Sequence, residues 1–486
     1  MMGHLQNYIG GRHVDPVKGI RLDNVNPATG KVYGSIPDST VEDVQAAVEA
    51  AQKAFPIWST LPAEQRSEQL LNLAAAIEEN IDAFARAESD DNGKPVALAR
   101  QMDIPRAIKN LRFFATAILH EESALHTSSV GEDGKGIINY TLRQPLGVIA
   151  AISPWNLPLY LFTWKFAAAL ATGNCVVGKP SEVTPATAYL LSQTCENIGF
   201  PAGVLNIVHG RGGSTGAALV NHAGVNAITF TGGSHTGATI ARATADSFRK
   251  TSLELGGKNA TVIFDDCNYD QALQMSVRAA FANQGEICLC GSRIYVQRSI
   301  AERFSQDFAK AARALKVGDP REKGVQIGAL VSEAHMNKVL DHINIAKDEG
   351  GTILAGGNRA TVPGRCIDGY FVEPTVISDL PQRCRTNTEE IFGPVVSINS
   401  FETEDEVVQL TNDSRYGLSA SVWTSDLSRA HRVAAALQVG IVWVNCWMIR
   451  DLRTPFGGVK ESGLGREGGL HALHFFTEAK NVCISY

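Results

Sequence analysis

Apolar positions along the chain follow two alternating rhythms, which together predict a mixed α/β protein. From Leu146 onward, short continuous apolar runs rich in β-branched residues are cut by glycine and proline. They are GVIAAIS (147–153), NCVVGKP (174–180), GVLNIVHG (203–210), NAITFTGG (226–233) and ATVIFDD (260–266). Runs without a polar face suit buried parallel strands, and helical segments between them, such as PATAYLLSQTCENI, suit βαβ units. A second series follows Cys290: RIYVQRS, VSEAHMNKVLDHINIAKDEGG, TILAGG, VVSINSF, and SASVWTS followed by LSRAHRVAAAL. It predicts another α/β domain. Upstream, Thr40-Val41-Glu42-Asp43 reads as a capping box before AAVEAAQKAF, and the stretch from Ala63 to Ser89 as further helix. INYTLRQ (138–144) and NVCISY (481–486) read as short strands that need a partner.

A chain of 486 residues exceeds one compact core, so two or three domains are expected. Its 44% hydrophobic and 19% charged residues are ordinary for a soluble globular protein. A formal charge of -6 gives no electrostatic reason to expect nucleic acid or an anionic membrane as partner. No apolar run approaches the roughly 20 residues of a membrane span. The N-terminal MMGHLQNYIGG lacks the basic, apolar and small-residue order of a secretion signal, so a cytoplasmic location is expected. Nine scattered cysteines fit a reducing compartment better than a disulfide scaffold.

The stretch FANQGEICLC (281–290) sets Cys288 and Cys290 beside Glu286. A zinc site would need further ligands, yet no histidine occurs between His235 and His335, so no metal is expected. The spacing alone leaves open a nucleophile or two packed thiols. Two glycine clusters invite a nucleotide. Gly463-Leu464-Gly465-Arg466-Glu467-Gly468 has the literal dinucleotide spacing but follows a polar loop, so it reads as a glycine-rich turn. Phe230-Thr231-Gly232-Gly233 follows a strand and opens a helix, the right order for an anion at a helix N-terminus. Lys179 and Glu182 end another strand, where a carboxylate suits ribose hydroxyls and repels a 2′-phosphate; taken alone they read more readily as solvated loop charges.

In order, the segments PWNLP (154–158), KPSE (179–182), FTGG (230–233), LELGGKN (253–259), FANQGEIC (281–288), EEIFGPV (389–395) and PFGGVKESGLGREGG (455–469) resemble the aldehyde dehydrogenase superfamily, over essentially the whole chain. The resemblance implies a Rossmann-like NAD-binding domain (1–124 and 143–254) and an α/β catalytic domain (255–445). It implies a substrate-tunnel loop (446–469) and a small β oligomerisation arm (125–142 and 470–486), giving a homodimer or homotetramer. It further implies Cys288 as the nucleophile that forms a thiohemiacetal and then a thioester, and Glu254 as the base that activates the hydrolytic water. Asn156 would stabilise the oxyanion together with the Cys288 backbone N–H. Lys179, Glu182, Trp155, Gly232, Glu390 and Phe392 match cofactor-side positions. Two residues depart from the pattern. Glu286 stands where the family usually has Gln, either adding charge near the thiol or pointing away into a salt bridge. Gly233 stands where Ser or Glu is common.

Arg106 and Arg450 fall in segments that line the family's substrate tunnel. A planar guanidinium there implies a substrate carboxylate to receive it; the plain alternative is pairing with Asp103 and Asp451. These segments and NQGEICLC most resemble the 2-aminomuconic and 2-hydroxymuconic 6-semialdehyde dehydrogenases, whose substrates carry an aldehyde and a carboxylate at opposite ends. The rival expectations are a dehydrogenase of a simpler aromatic, aliphatic or betaine-type aldehyde, and a non-catalytic structural member of the superfamily. The latter would be marked by loss of Cys288, Glu254 or Asn156.

Overall fold

Two largely parallel sheets organise the chain, in a computed structural model that describes residues 3–128 and 136–486. In the first sheet, parallel strands stand in the order Lys250–Glu254, Ala227–Thr231, Val148–Ile152, Cys175–Lys179 and Leu205–Ile207. Antiparallel pieces close its edges, Gly463–Leu464 on one side and Asn7–Ile9 with Arg12–Val14 on the other. Val148–Ile152, Cys175–Lys179 and Ala227–Thr231 are buried along their whole length, as their uninterrupted apolar patterns require.

The chain starts this parallel core at Val148–Ile152 and builds outward through Cys175–Lys179 to Leu205–Ile207. It then returns to lay Ala227–Thr231 on the opposite flank. The strand order therefore reverses between Ile152 and Thr231, and the loops leaving those strands diverge there. Such a crevice at the carboxyl ends is where open α/β sheets bind ligands.

The second sheet runs Thr352–Ala355, Thr375–Ser378, Val395–Phe401, Arg293–Gln297, Ala260–Ile263, Ser419–Trp423 and Ile441–Val444, parallel except for its first pair. Helix Pro158–Ala171, PLYLFTWKFAAALA, is apolar on every side and buried at every residue. It packs against helix Ile104–Ala117 and carries side chains into the site described below. The capping box at Thr40 opens helix Val41–Thr60 through Asp43. The expected helix from Ala63 is in fact two, Ala63–Glu79 and Ile81–Asn92, because the backbone leaves helical angles at Asn80.

INYTLRQ and NVCISY find each other: Thr477–Ser485 pairs antiparallel with Ile137–Pro145, which in turn pairs with Leu125–Ser128. This three-stranded ribbon is largely exposed. Residues 129–135 of the expected arm lie outside the described residues. No helix among the described residues is long and apolar enough to cross a membrane.

Candidate functional site

The reversal point opens into a cleft of about 260 Å³. One wall comes from the loop after Val148–Ile152, with Trp155 and Asn156, and from Thr231 and Gly232 after the neighbouring strand. The facing wall comes from the second sheet's N-terminal edge, with Cys288 before Arg293–Gln297 and Glu390 and Phe392 before Val395–Phe401. Six sequence-predicted site residues thus converge on one space. His335 and Lys338, which the sequence reading did not single out, complete it. They sit at (i, i+3) on helix Glu333–Asp348, a spacing that places both on one helix face.

The segment before Cys288 is held in an unfavourable backbone form. Asn283, Gln284 and Gly285 follow one another at φ of 52°, 57° and 74°, and left-handed angles cost a non-glycine residue roughly 1–2 kcal/mol. The turn is clamped from several sides. Asn156 Nδ2 donates to the Glu286 carbonyl at 2.9 Å, and Asn259 Nδ2 donates to the carbonyls of Cys288 and Cys290 at 2.6 and 3.0 Å. Trp447 Nε1 donates to Leu289 O at 2.9 Å. Cys288 is half-buried on the cleft wall, whereas Cys290 is buried behind it and all nine cysteines are free thiols. Burial, followed by the carboxylates of Glu254 and Glu390, pushes the Cys288 thiol well above its ordinary pKa. The resting group is therefore a thiol that needs a base.

Glu254 ends its strand behind the cleft, buried, with Oε1 lacking a hydrogen-bond partner among the described residues. A Cβ on Gly457 would come within 2.6 Å of that oxygen, so glycine there makes room for the carboxylate. Burial, and then the negative charge of Glu467, hold the Glu254 carboxyl well above its ordinary pKa, against Lys165, Arg450 and Arg466. Glu467 itself forms a buried ion pair with Lys165 at 2.5 Å and accepts from Thr229 and Ser252 hydroxyls at 3.3 and 3.2 Å. It comes from inside the GLGREG turn, whose pairing at Gly463–Leu464 with Leu253–Glu254 brings the two carboxyls together.

Glu286 points away from the thiol. Its Oε1 accepts from the Val331 N–H at 3.2 Å and lies 3.7 Å from His335 Nε2, with none of the side chain exposed. Burial raises its carboxyl well above the ordinary range and pushes His335 down to about 4, so burial disfavours the charged form of each. His335 Nε2 donates to the Phe392 carbonyl at 2.7 Å, which helps hold Phe392 at φ 61°. The side chain thus turns away from the thiol, toward His335.

Neither arginine pairs with its sequence neighbour: Asp103 binds Lys94 and Asp451 binds Arg453. Arg106 Nε donates to Asn110 Oδ1 at 2.9 Å, and Asn110 Nδ2 donates to Tyr160 O and to Thr163 Oγ1 at 3.0 and 3.1 Å. Arg450 donates to the Tyr160 hydroxyl at 3.3 Å and lies 3.6 Å from the Phe456 ring centroid. Each guanidinium keeps a buried Nη2 without a partner among the described residues. Tyr160, Leu157 and Phe456 belong to the same apolar cluster that packs Cys288. Asn110 was missed in the sequence, although its (i, i+4) spacing from Arg106 on one helix could have flagged it.

Lys179 and Glu182 lie beyond the cleft, at the end of Cys175–Lys179, paired at 3.2 Å. Glu182 Oε1 also accepts from the Gly212 N–H at 3.3 Å. Glu390 Oε1 accepts from the Gly257 N–H at 2.9 Å, and a Cβ on Gly256 would meet Glu390 Oε2 at 2.2 Å. Acidic groups at the strand ends and a glycine-lined floor fit the hydroxyls and close backbone approach of a dinucleotide. Among the described residues no cluster of three or more metal-ligating side chains occurs.

A family model described as "Aldehyde dehydrogenase family" matches residues 14–482. The chain is 49% identical over 485 residues to a 2-aminomuconic semialdehyde dehydrogenase of Bos taurus, covering 99% of this chain and 98% of that protein. It is 45% identical over 485 residues to a 2-hydroxymuconic semialdehyde dehydrogenase of Pseudomonas sp. (strain CF600), covering 99% and 100%. An NAD+ complex of an aldehyde dehydrogenase from Bacillus cereus superposes with a TM-score of 0.94 at 38% identity, covering 99% of this chain and 96% of that one.

Proposed function

Because the chain belongs to the aldehyde dehydrogenase family, we propose that it oxidises 2-aminomuconate or 2-hydroxymuconate 6-semialdehyde to the dicarboxylate with NAD, in aromatic or tryptophan catabolism. The names of the relatives support that substrate class. The observation that carries it is that Arg106 and Arg450 each keep a buried Nη2 without a partner among the described residues, against Tyr160 and Phe456 of the apolar cluster around Cys288. An aliphatic aldehyde would give those buried cations nothing to bind, whereas a terminal carboxylate satisfies both. Their grip on the far end aims the aldehyde at the thiol, so remote binding energy positions the reacting carbon.

In this reading Glu254 removes the Cys288 proton and passes it to solvent, and the thiolate attacks the aldehyde carbon to form a thiohemiacetal, which becomes the thioester when its hydride is lost. Asn156 Nδ2 and the Cys288 backbone N–H hold the oxygen that becomes negative. Bound NAD supplies the hydride acceptor; Lys179, Glu182, Trp155, Gly232, Glu390 and Phe392 are the residues that would hold it. Glu254 then takes a proton from water as it adds to the thioester, and the C–S bond breaks to release the carboxylate product.

The same reading divides the chain into an NAD-binding domain (1–124 and 143–254), a catalytic domain (255–445), a tunnel loop (446–469) and an arm (125–142 and 470–486). The exposed ribbon edge of Leu125–Ser128 supports association into a homodimer or homotetramer. Free cysteines throughout support a reducing, cytoplasmic setting.

The test is NADH formation with a panel of aldehydes. We expect kcat/KM for a carboxylate-bearing semialdehyde to exceed that for benzaldehyde or hexanal. Equal or higher values for the neutral aldehydes would refute the substrate class.

A further inference from the structure

Lys94 is a fully buried cation outside the catalytic set, hydrogen-bonded to Asp103 and to a main-chain carbonyl and within ion-pair distance of Glu88. Its Nζ lies 2.8 Å from Asp103 Oδ1, 3.5 Å from Glu88 Oε1 and 3.0 Å from the main-chain carbonyl of Asn156. Burying an ammonium is costly unless it is paired and hydrogen-bonded. Two acids already surround this one, so a third contact to a neutral carbonyl is not needed for charge balance. Glu88 also accepts, at 3.4 Å, from the N–H of Leu159 in the first turn of helix Pro158–Ala171. The buried charges therefore grip the turn PWNLP at both its carbonyl and its helix start.

The other end of the brace is Asn283. Its Nδ2 donates to the Asn156 carbonyl at 3.1 Å and to the Glu286 carbonyl at 3.2 Å, the same oxygen that receives Asn156 Nδ2. Asn92 Nδ2 adds a contact to the Trp155 carbonyl at 3.1 Å. One peptide oxygen thus collects a buried ammonium and two amides, those of Asn283 and, at 3.5 Å, Asn92, while the Asn156 side chain is tied to the strained turn leading to Cys288. A loop with left-handed angles at Asn283 and Gln284 persists only where its surroundings enforce it.

We propose that Lys94 and Asn283 are positioning residues for the reaction: they fix the Asn156 peptide so that its side-chain amide and the Cys288 loop stay in register as one oxyanion site. The proposal rests on the reading of Asn156 as the oxyanion donor. Neither residue touches the substrate; both act through the geometry of Asn156. A preorganised donor is effective only if it does not have to move as charge develops.

The test is a pair of double-mutant cycles on the full-length enzyme, read by the single-turnover rate of NADH formation. Lys94→Met removes the charge at similar side-chain length; Asn283→Gly removes the bridging amide while keeping a residue that tolerates the positive φ. Loss of an oxyanion donor typically costs about 10²–10³-fold, and a misplacement on the order of 1 Å up to about 10²-fold. We expect Asn156→Ala to fall in the first range. Each brace variant should slow the wild-type background by roughly ten- to a hundredfold, with NAD affinity retained. In the Asn156→Ala background the same substitutions should change nothing further.

An equal loss in both backgrounds would overturn the proposal, as would brace variants that weaken NAD binding or lower Tm without slowing the single turnover. Should Lys94→Met not yield folded protein, the Asn283→Gly cycle decides by the same criterion. An Asn156→Ala enzyme with an unchanged single-turnover rate would instead overturn the oxyanion reading beneath it.

Discussion

The guanidinium groups of Arg106 and Arg450 stand against the same indole, 5.6 and 4.7 Å from the ring centroid of Trp164. Two like charges have been brought together over aromatic faces, and neither forms an ion pair with a carboxylate among the described residues. Burial lowers Arg106 to about 10; the Tyr160 side chain opposes that shift and the nearby Arg450 charge adds to it. It remains cationic at neutral pH. Cation–π contact offsets part of the cost of this convergence, and a bound anion would offset much more.

From that pair follows a selective loss of affinity. Replacing Arg450 with Met removes charge-assisted hydrogen bonds worth about 1.5–3 kcal/mol to a bound carboxylate. We expect kcat/KM for the semialdehyde to fall roughly ten- to a hundredfold, with KM taking most of the change. For hexanal kcat/KM should stay constant or rise. A parallel fall for both aldehydes would mean that Arg450 supports the fold rather than the substrate.

Sequence pattern revealed what local residues encode. The buried strands follow from uninterrupted apolar runs, and Cys288, Glu254 and Asn156 stand in segments whose residue order is distinctive on its own. Contacts between distant segments left no such trace. Lys165 and Glu467 are brought together only by the antiparallel pairing of Leu253–Glu254 with Gly463–Leu464. Nothing in the sequence marked Lys94, which only the fold buries. For Glu286 the sequence left open a charge beside the thiol or a turn away into a salt bridge, and only the fold shows the side chain fully buried and turned toward His335. Burial favours its protonated form, which resembles the uncharged amide that the family usually carries there.

Glu254→Gln should separate the two halves of the reaction. The first turnover still forms NADH, although more slowly without the base, while hydrolysis of the thioester stops. We expect a burst of about one NADH per active site followed by a steady rate lower by about 10²–10⁴-fold. A proportionate loss of burst and steady state would place the missing function before the thioester. In the wild-type enzyme the Glu254 carboxyl lies well above its ordinary range. Its ionised, base-competent fraction therefore grows as pH rises, and kcat should climb with pH along a limb absent from the variant.

Glu286 predicts a pH-dependent stability. Its folded pKa is raised above the unfolded value of about 4.3, so the folded state holds that proton more tightly. The resulting contribution is intact below the unfolded pKa and is lost as pH rises through the folded one. Glu286→Gln cannot ionise and retains a hydrogen-bonding side chain of nearly the same shape. Its Tm should match the wild type in mild acid and exceed it increasingly toward alkaline pH, with turnover retained. A Tm difference that stays constant with pH would contradict a raised Glu286 pKa.

Glu467 and Lys165 should tune Glu254 in opposite directions. Glu467 is the largest influence after burial that raises the Glu254 carboxyl, and Lys165 is the largest that lowers it. Glu467→Gln removes a nearby negative charge, so Glu254 ionises more readily and the alkaline limb of kcat should move to lower pH. Lys165→Met removes the opposing positive charge, and the limb should move to higher pH. Each single change leaves one member of a buried ion pair uncompensated, at a cost of about 3–5 kcal/mol in stability, so both variants should melt earlier. The double variant removes both charges and should return the limb toward its wild-type position with part of the lost stability recovered. If both single variants shift the limb the same way, the pair influences catalysis through packing rather than through its charges.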